Sequence, residues 1–113
     1  MTARVLAKPE WQSYCDRVSK GLPGKRVQIE VIGLRIGDQI AAKSLPLIGI
    51  TYDPKDDLVE IGMEGLDHLI AKPRAISVDD GPEGLTSMEI VDSDGQRQIL
   101  KLMTPLMLAA PRK

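Results

Sequence analysis

A chain of 113 residues with fifteen basic and sixteen acidic side chains has a formal charge of -1, dispersed along its length. The basic footprint that nucleic acid requires is therefore missing, and Trp11, Tyr14 and Tyr52 are too few aromatics for a single-strand stacking platform. Cys15 is the only cysteine, which excludes an intrachain disulfide and leaves a thiol metal site short of ligands. No metal and no cofactor are expected.

The hydrophobic fraction of 42% and charged fraction of 27% are ordinary globular values, and the length suits one core, so residues 1–113 are read as a single domain. The first apolar run, Val5 to Ala7, stops at Lys8 and is too short for a secretory segment. The run from Leu102 to Ala110 is broken by Thr104 and Pro105 and has about half the length of a bilayer span. A cytoplasmic protein without a membrane partner is the expectation.

Trp11, Tyr14, Cys15 and Val18 recur at i, i+3, i+4 and i+7, which predicts an amphipathic helix over about 9–20. Pro9 and Glu10 suit its first turn, and Gly21 with Pro23 its stop. From Arg26 the period becomes two: Val27, Ile29 and Val31 alternate with Gln28 and Glu30, as in a half-buried strand. A second strand returns over Gln39 to Lys43 after a turn bracketed by Gly33 and Gly37. Leu45-Pro46-Leu47 predicts a bend, because proline lacks a backbone donor, and Ile48, Ile50 and Tyr52 mark a third strand.

Asp53-Pro54-Lys55-Asp56-Asp57 suits a type I turn, leading into Val59, Ile61 and Met63 as a fourth strand that ends at Gly65. Leu66, Leu69 and Ile70 fall at i, i+3 and i+4 around His68, which predicts a short helical turn near residues 65–71 before Pro73. Ile76 and Val78 then mark a fifth strand, and Met88 and Ile90 a sixth. Asp94-Gly95 predicts a type I′ hairpin into a seventh strand over about 96–103. The fold expected is α+β: an N-terminal helix packed on a mostly antiparallel sheet, or partly open barrel, of six to seven short strands over about 26–103. An apolar tail, 104–113, follows and has to be covered.

Several blocks occur together in order: Glu10-Trp11, Leu45-Pro46-Leu47, Gly49-Ile50-Thr51-Tyr52-Asp53-Pro54-Lys55-Asp56-Asp57, Gly65-Leu66-Asp67-His68-Leu69-Ile70, and Asp94-Gly95. In this the chain resembles the small bacterial family of unknown function numbered DUF5335, over nearly its whole length. The resemblance implies a stand-alone bacterial domain and no particular activity. Many members carry a further histidine shortly after the position of His68, where this chain has Ile70-Ala71-Lys72; that departure weakens a two-histidine metal site.

The residues that could hold a ligand are His68 with Asp67, and Asp53, Asp56 and Asp57. His68 is the only imidazole and would act as base or ligand, but no nucleophile or second histidine accompanies it. The three aspartates coincide with a turn, as does Asp92-Ser93-Asp94-Gly95, and neither stretch has the spacing of a calcium loop. Cys15 lies on the apolar helix face and reads as a buried thiol. No catalytic residue is assigned. A non-catalytic interaction module is the preferred reading, with Trp11, Leu106, Met107 and Leu108 as its interface candidates and a second copy or another protein as partner. The alternative is a small ligand-binding domain or enzyme built on His68 and the Asp53 to Asp57 loop.

Overall fold

The structure, a computed structural model, describes residues 3–20, 25–33, 37–81 and 84–106. Strand β1 (Ala3–Leu6) and a 3-10 turn (Lys8–Glu10) precede helix α1 (Trp11–Lys20). Then follow β2 (Arg26–Gly33), β3 (Gly37–Asp53), β4 (Leu58–Met63), β5 (Leu66–Ala71), β6 (Ala75–Gly81), β7 (Gly84–Val91) and β8 (Arg97–Leu106). The strands form one sheet in the order β1-β6-β7-β8-β2-β3-β4-β5, antiparallel at every step. Among the described residues no pairing joins β1 to β5, so the sheet is open.

Two expectations are corrected. The strands number eight among the described residues rather than six to seven, because β1 pairs with β6 and the stretch near 65–71 is strand β5 rather than a helical turn. Leu66 and Leu69 are both exposed on that strand while Ile70 is buried; apolar residues on both faces of an edge strand imitate a helical period. Strand β8 also runs on to Leu106, so the first residues of the supposed tail are sheet, with Leu106 opposite Leu85. Gly21 and Pro23, expected to stop the helix, and Met107 and Leu108 lie outside the described residues.

Helix α1 forms where its period predicts, and Trp11, Tyr14, Cys15 and Val18 are its buried residues. Its entry is fixed by Glu10, whose Oε1 accepts from the Ala7 N–H at 2.9 Å. Arg17 and Lys20 in the last turn complement the helix dipole.

The 17-residue strand β3 contains the two strands and the bend expected between them. Its register against β2 passes from Ile40 to Ala42 while β2 moves from Glu30 to Ile29, and from Ala42 to Leu45 while β2 moves from Ile29 to Val27. Each step leaves an extra residue on β3, which is how a bulge bends a strand. Ser44 takes φ +55° there, with its carbonyl held by Arg26 Nη1 at 2.7 Å. At Pro46 the strand leaves β2, and from Leu47 onward it pairs with β4. A residue without an N–H fits that changeover.

The two halves of the sheet fold over each other. Strands β5 and β8 are four places apart, which in a flat sheet is about 19 Å at about 4.8 Å per strand. Yet the side chains of His68 on β5 and Gln98 on β8 are hydrogen-bonded. The inward residues of both halves, among them Val27, Ile29, Ile50, Ile61, Ile76 and Leu100, form one buried core with the apolar face of α1. The outward face carries the ion pairs Lys101–Glu30 at 3.1 Å and Arg97–Glu89 at 2.7 Å, each with a half-exposed cation and of small energetic weight, together with exposed apolar side chains such as Leu69.

Candidate functional site

The sequence places Asp67 and His68 next to each other, but on a strand neighbours point to opposite faces. Asp67 is exposed on the outer face of β5; His68 is half-buried on the inner face, the side of Ile70. The Asp53 to Asp57 turn is not part of the same grouping. Asp53 Oδ1 accepts from the N–H of Lys55 at 2.9 Å and of Asp56 at 3.4 Å. Asp57 Oδ1 accepts from the Tyr52 hydroxyl at 2.7 Å, and its φ of +52° completes the loop. Burial, and then the bond to Asp57, pushes the Tyr52 hydroxyl up to about 12. The carboxylates of Asp53 and Asp57 are thus engaged in shaping the turn, while Asp56 is exposed and enters it through its backbone N–H. A cleft of about 340 Å³ lies beside it, lined by Lys8, Pro9, Gln12, Tyr52 and Pro54.

What His68 does meet is a polar chain that crosses the core. Gln98 Nε2 donates to Asp92 Oδ2 at 2.9 Å, and Asp92 Oδ1 accepts from the N–H of Asp94 and of Gln96, both at 2.9 Å. Asp92 and Gln98 are buried. A carboxylate only accepts, so Gln98 must turn its NH2 to Asp92 and its carbonyl to the imidazole, and His68 must donate from Nε2. The chain therefore has one direction, His68 to Gln98 to Asp92, and ties β5 to β8 through the interior. Gln98 was legible only as a polar residue in register with the inward Leu100 and Leu102; nothing local identified its partners.

The hairpin at the end of that chain differs from the type I′ turn expected. Gly95 N–H donates to the Asp92 carbonyl at 3.1 Å, which puts Ser93 and Asp94 at the centre of the turn, and only Gly95 has positive φ, +82°. This is a three-residue loop with glycine in the left-handed position, organised by the Asp92 side chain.

A second polar group joins α1 to the far end of the sheet. The Tyr14 hydroxyl donates to Asp80 Oδ2 at 2.9 Å, and Arg4 donates to both Asp80 oxygens at 3.2 and 3.0 Å. Burial pushes the Asp80 carboxyl up, but the bonds from Arg4 and Tyr14 and the Arg4 charge outweigh it and hold the group below its ordinary 3.8. Burial, then Asp80, raises the Tyr14 hydroxyl. The guanidiniums of Arg4 and Arg17 lie 5.7 and 5.2 Å from the centre of the Tyr14 ring.

Trp11, an interface candidate from sequence, is 3% exposed. Its Nε1 donates to the Leu6 carbonyl at 3.2 Å, and its ring meets Tyr52 edge-on at 5.2 Å; it anchors the interior. Leu106 is placed in β8 by its backbone. Cys15 is buried, and burial, then Asp16, pushes its thiol up to about 12, which makes it a poor nucleophile. Among the described residues, no three His, Cys, Asp or Glu side chains gather as metal ligands, and no helix is long and apolar enough to cross a membrane.

The surface of β5 itself is the remaining candidate. A two-residue loop, Glu64 and Gly65, closes the β4–β5 hairpin at the Met63–Leu66 pair, and at the other end the Lys72 N–H donates to the Asp57 carbonyl at 2.8 Å. Residues exchanging bonds with β4 alternate along the ladder, so Leu66, His68 and Ile70 face β4 with their backbone groups. Asp67, Leu69 and Ala71 turn their N–H and C=O to the outer edge, where no described strand pairs with them. Leu66 and Leu69 are 39% and 56% exposed on this strand.

The family model that matches residues 2–111 is described as a family of unknown function, DUF5335. A relative from Aquifex aeolicus (strain VF5), described as an uncharacterized protein, is 41% identical over 109 residues, covering 96% of this chain and 98% of that protein. No solved structure matches. Neither description names an activity.

Proposed function

We propose that this chain, which belongs to the DUF5335 family, is a non-catalytic protein-interaction module that works by strand addition at the outer edge of β5. The observation that carries the reading is that edge: Asp67, Leu69 and Ala71 aim backbone donors and acceptors outward, on a strand that also carries the exposed side chains of Leu66 and Leu69. An edge of this kind is a template for another strand, the backbone giving affinity and alternate side chains giving specificity.

The His68–Gln98–Asp92 chain supports the same role. It fixes β5 from its inner face, so a partner strand meets a preformed edge and little ordering cost is left for binding. In this reading the folded-over sheet acts as a partly open barrel whose last strand is the docking strand. His68 is then a positioning residue.

A photo-crosslinking residue placed at Leu69 in the full chain, expressed in its native cell, tests the proposal. A protein adduct from position 69, and none from position 51 on the outer face of β3, is the expected result. Absence of an adduct at 69 overturns it.

A further inference from the structure

Resting on the edge reading above, we infer that the strand added to β5 is β5 of a second copy, paired antiparallel about a twofold axis through Leu69. The strand is self-complementary in charge when reversed. Exposed acids, Glu64 and Asp67, stand at its start, and exposed bases, Lys72 and Arg74, stand at its end. Antiparallel pairing lays the acidic end of one copy beside the basic end of the other, twice by symmetry. The matching surface patch on both subunits is what a twofold interface requires.

The register follows from the ladder. Because Asp67, Leu69 and Ala71 face outward with their backbone groups, an axis through Leu69 makes three bonded pairs: Leu69 with the partner's Leu69, and Asp67 with the partner's Ala71 in both directions. The two Leu69 side chains, each 56% exposed in the single copy, then meet on the outer face. An axis through Asp67 opposes two carboxylates, which is destabilising. An axis through Ala71 sets Leu69 against Pro73, which has no donor. An axis through His68 opposes two imidazoles, already tied inward to Gln98, and places Leu69 against a carboxylate. Of these four axes, the one through Leu69 keeps both the apolar contact and the charge match.

Sedimentation velocity over a wide concentration range, with amide exchange on the same samples, tests the inference on the full chain. The expected result is a reversible dimer in which the Asp67, Leu69 and Ala71 amides gain protection as concentration rises. Leu69→Lys, at an exposed position, abolishes it. Asp67→Lys or Lys72→Glu alone weakens the dimer about tenfold, since each reversal sets like charges beside one another at both ends of the symmetric interface. A monomer at every concentration overturns the second copy as partner, as does an adduct from position 69 containing some other protein; in the latter case the edge reading stands. A dimer indifferent to Leu69→Lys and to both charge reversals overturns the edge reading as well. Protection of these amides in a monomer, independent of concentration, means that the chain covers its own edge and overturns both.

Discussion

At one end of the sheet β1 is four residues long, its Leu6 carbonyl is taken by the Trp11 indole, and its Arg4 is tied to Asp80; at the other end β5 is six residues long and its outer groups meet no described segment. The second half of β3 resembles β1 in this respect. Having left β2 at Pro46, it has its Ile50 N–H and carbonyl bonded to Ser19 Oγ of α1, at 2.9 and 2.7 Å. Helix α1 thus blunts the two edges within its reach by side chains, one indole and one hydroxyl. Strand β5 lies beyond it and, apart from its ladder to β4, is tied from its inner face. The contrast separates edges that the chain closes for its own stability from one that it holds in place and leaves accessible.

Trp11→Ala is the severest way to break this contrast. It removes a buried ring and the bond to Leu6 together, and about 3–5 kcal/mol of stability should be lost in denaturant unfolding, as for other large-to-small core changes. Whatever remains folded should exchange the β1 amides faster, while β5 is little changed. Gln98→Leu attacks the other side. It leaves the Asp92 carboxylate and the His68 N–H without their buried partner, a loss of about 1–3 kcal/mol, and faster exchange should now be confined to β5. If Gln98→Leu loosened β1 and β5 alike, the claim that each edge has its own fastening would fail.

The smallest effect is expected at Asp80, where Arg4 is half-exposed and its ion pair is discounted for solvent. Asp80→Asn should cost about 1 kcal/mol at neutral pH. Because the native carboxyl sits below the ordinary 3.8, the unfolded chain binds its proton first as pH falls. The stability it contributes is therefore whole above 3.8 and is lost below that, toward the lowered native value. Thermal unfolding as a function of pH should show a shallower acid limb in Asp80→Asn than in the parent; equal limbs would place the β1 fastening elsewhere.

Much of this architecture could be read from the sequence, and the misreadings share a cause. Helix α1 and strands β2 and β4 bury one face and expose the other, so their period is explicit in the residue order. Pro46 marked the bend of β3, although the continuity of the strand through it depends on the bulges against β2. Edge strands carry weaker patterns: β1 offers four residues, Ala3-Arg4-Val5-Leu6, with Val5 75% exposed, and β5 carries leucine on both faces. The candidate site was legible in part. Asp53, Asp57 and Asp92 appeared as turn residues, which is how their side chains are used. The bond between His68 and Gln98, 30 residues apart, comes from the folding over of the sheet, and no local spacing encodes it.

Both ends of one side-chain amide are committed in the His68–Gln98–Asp92 chain, the carbonyl to the imidazole and the NH2 to the carboxylate. Turned end for end, the Gln98 amide would set its NH2 against the imidazole donor and its carbonyl against the carboxylate, so both bonds are made together or lost together. The seating of β5 thus depends on the orientation of a single planar group, a latch with one closed position.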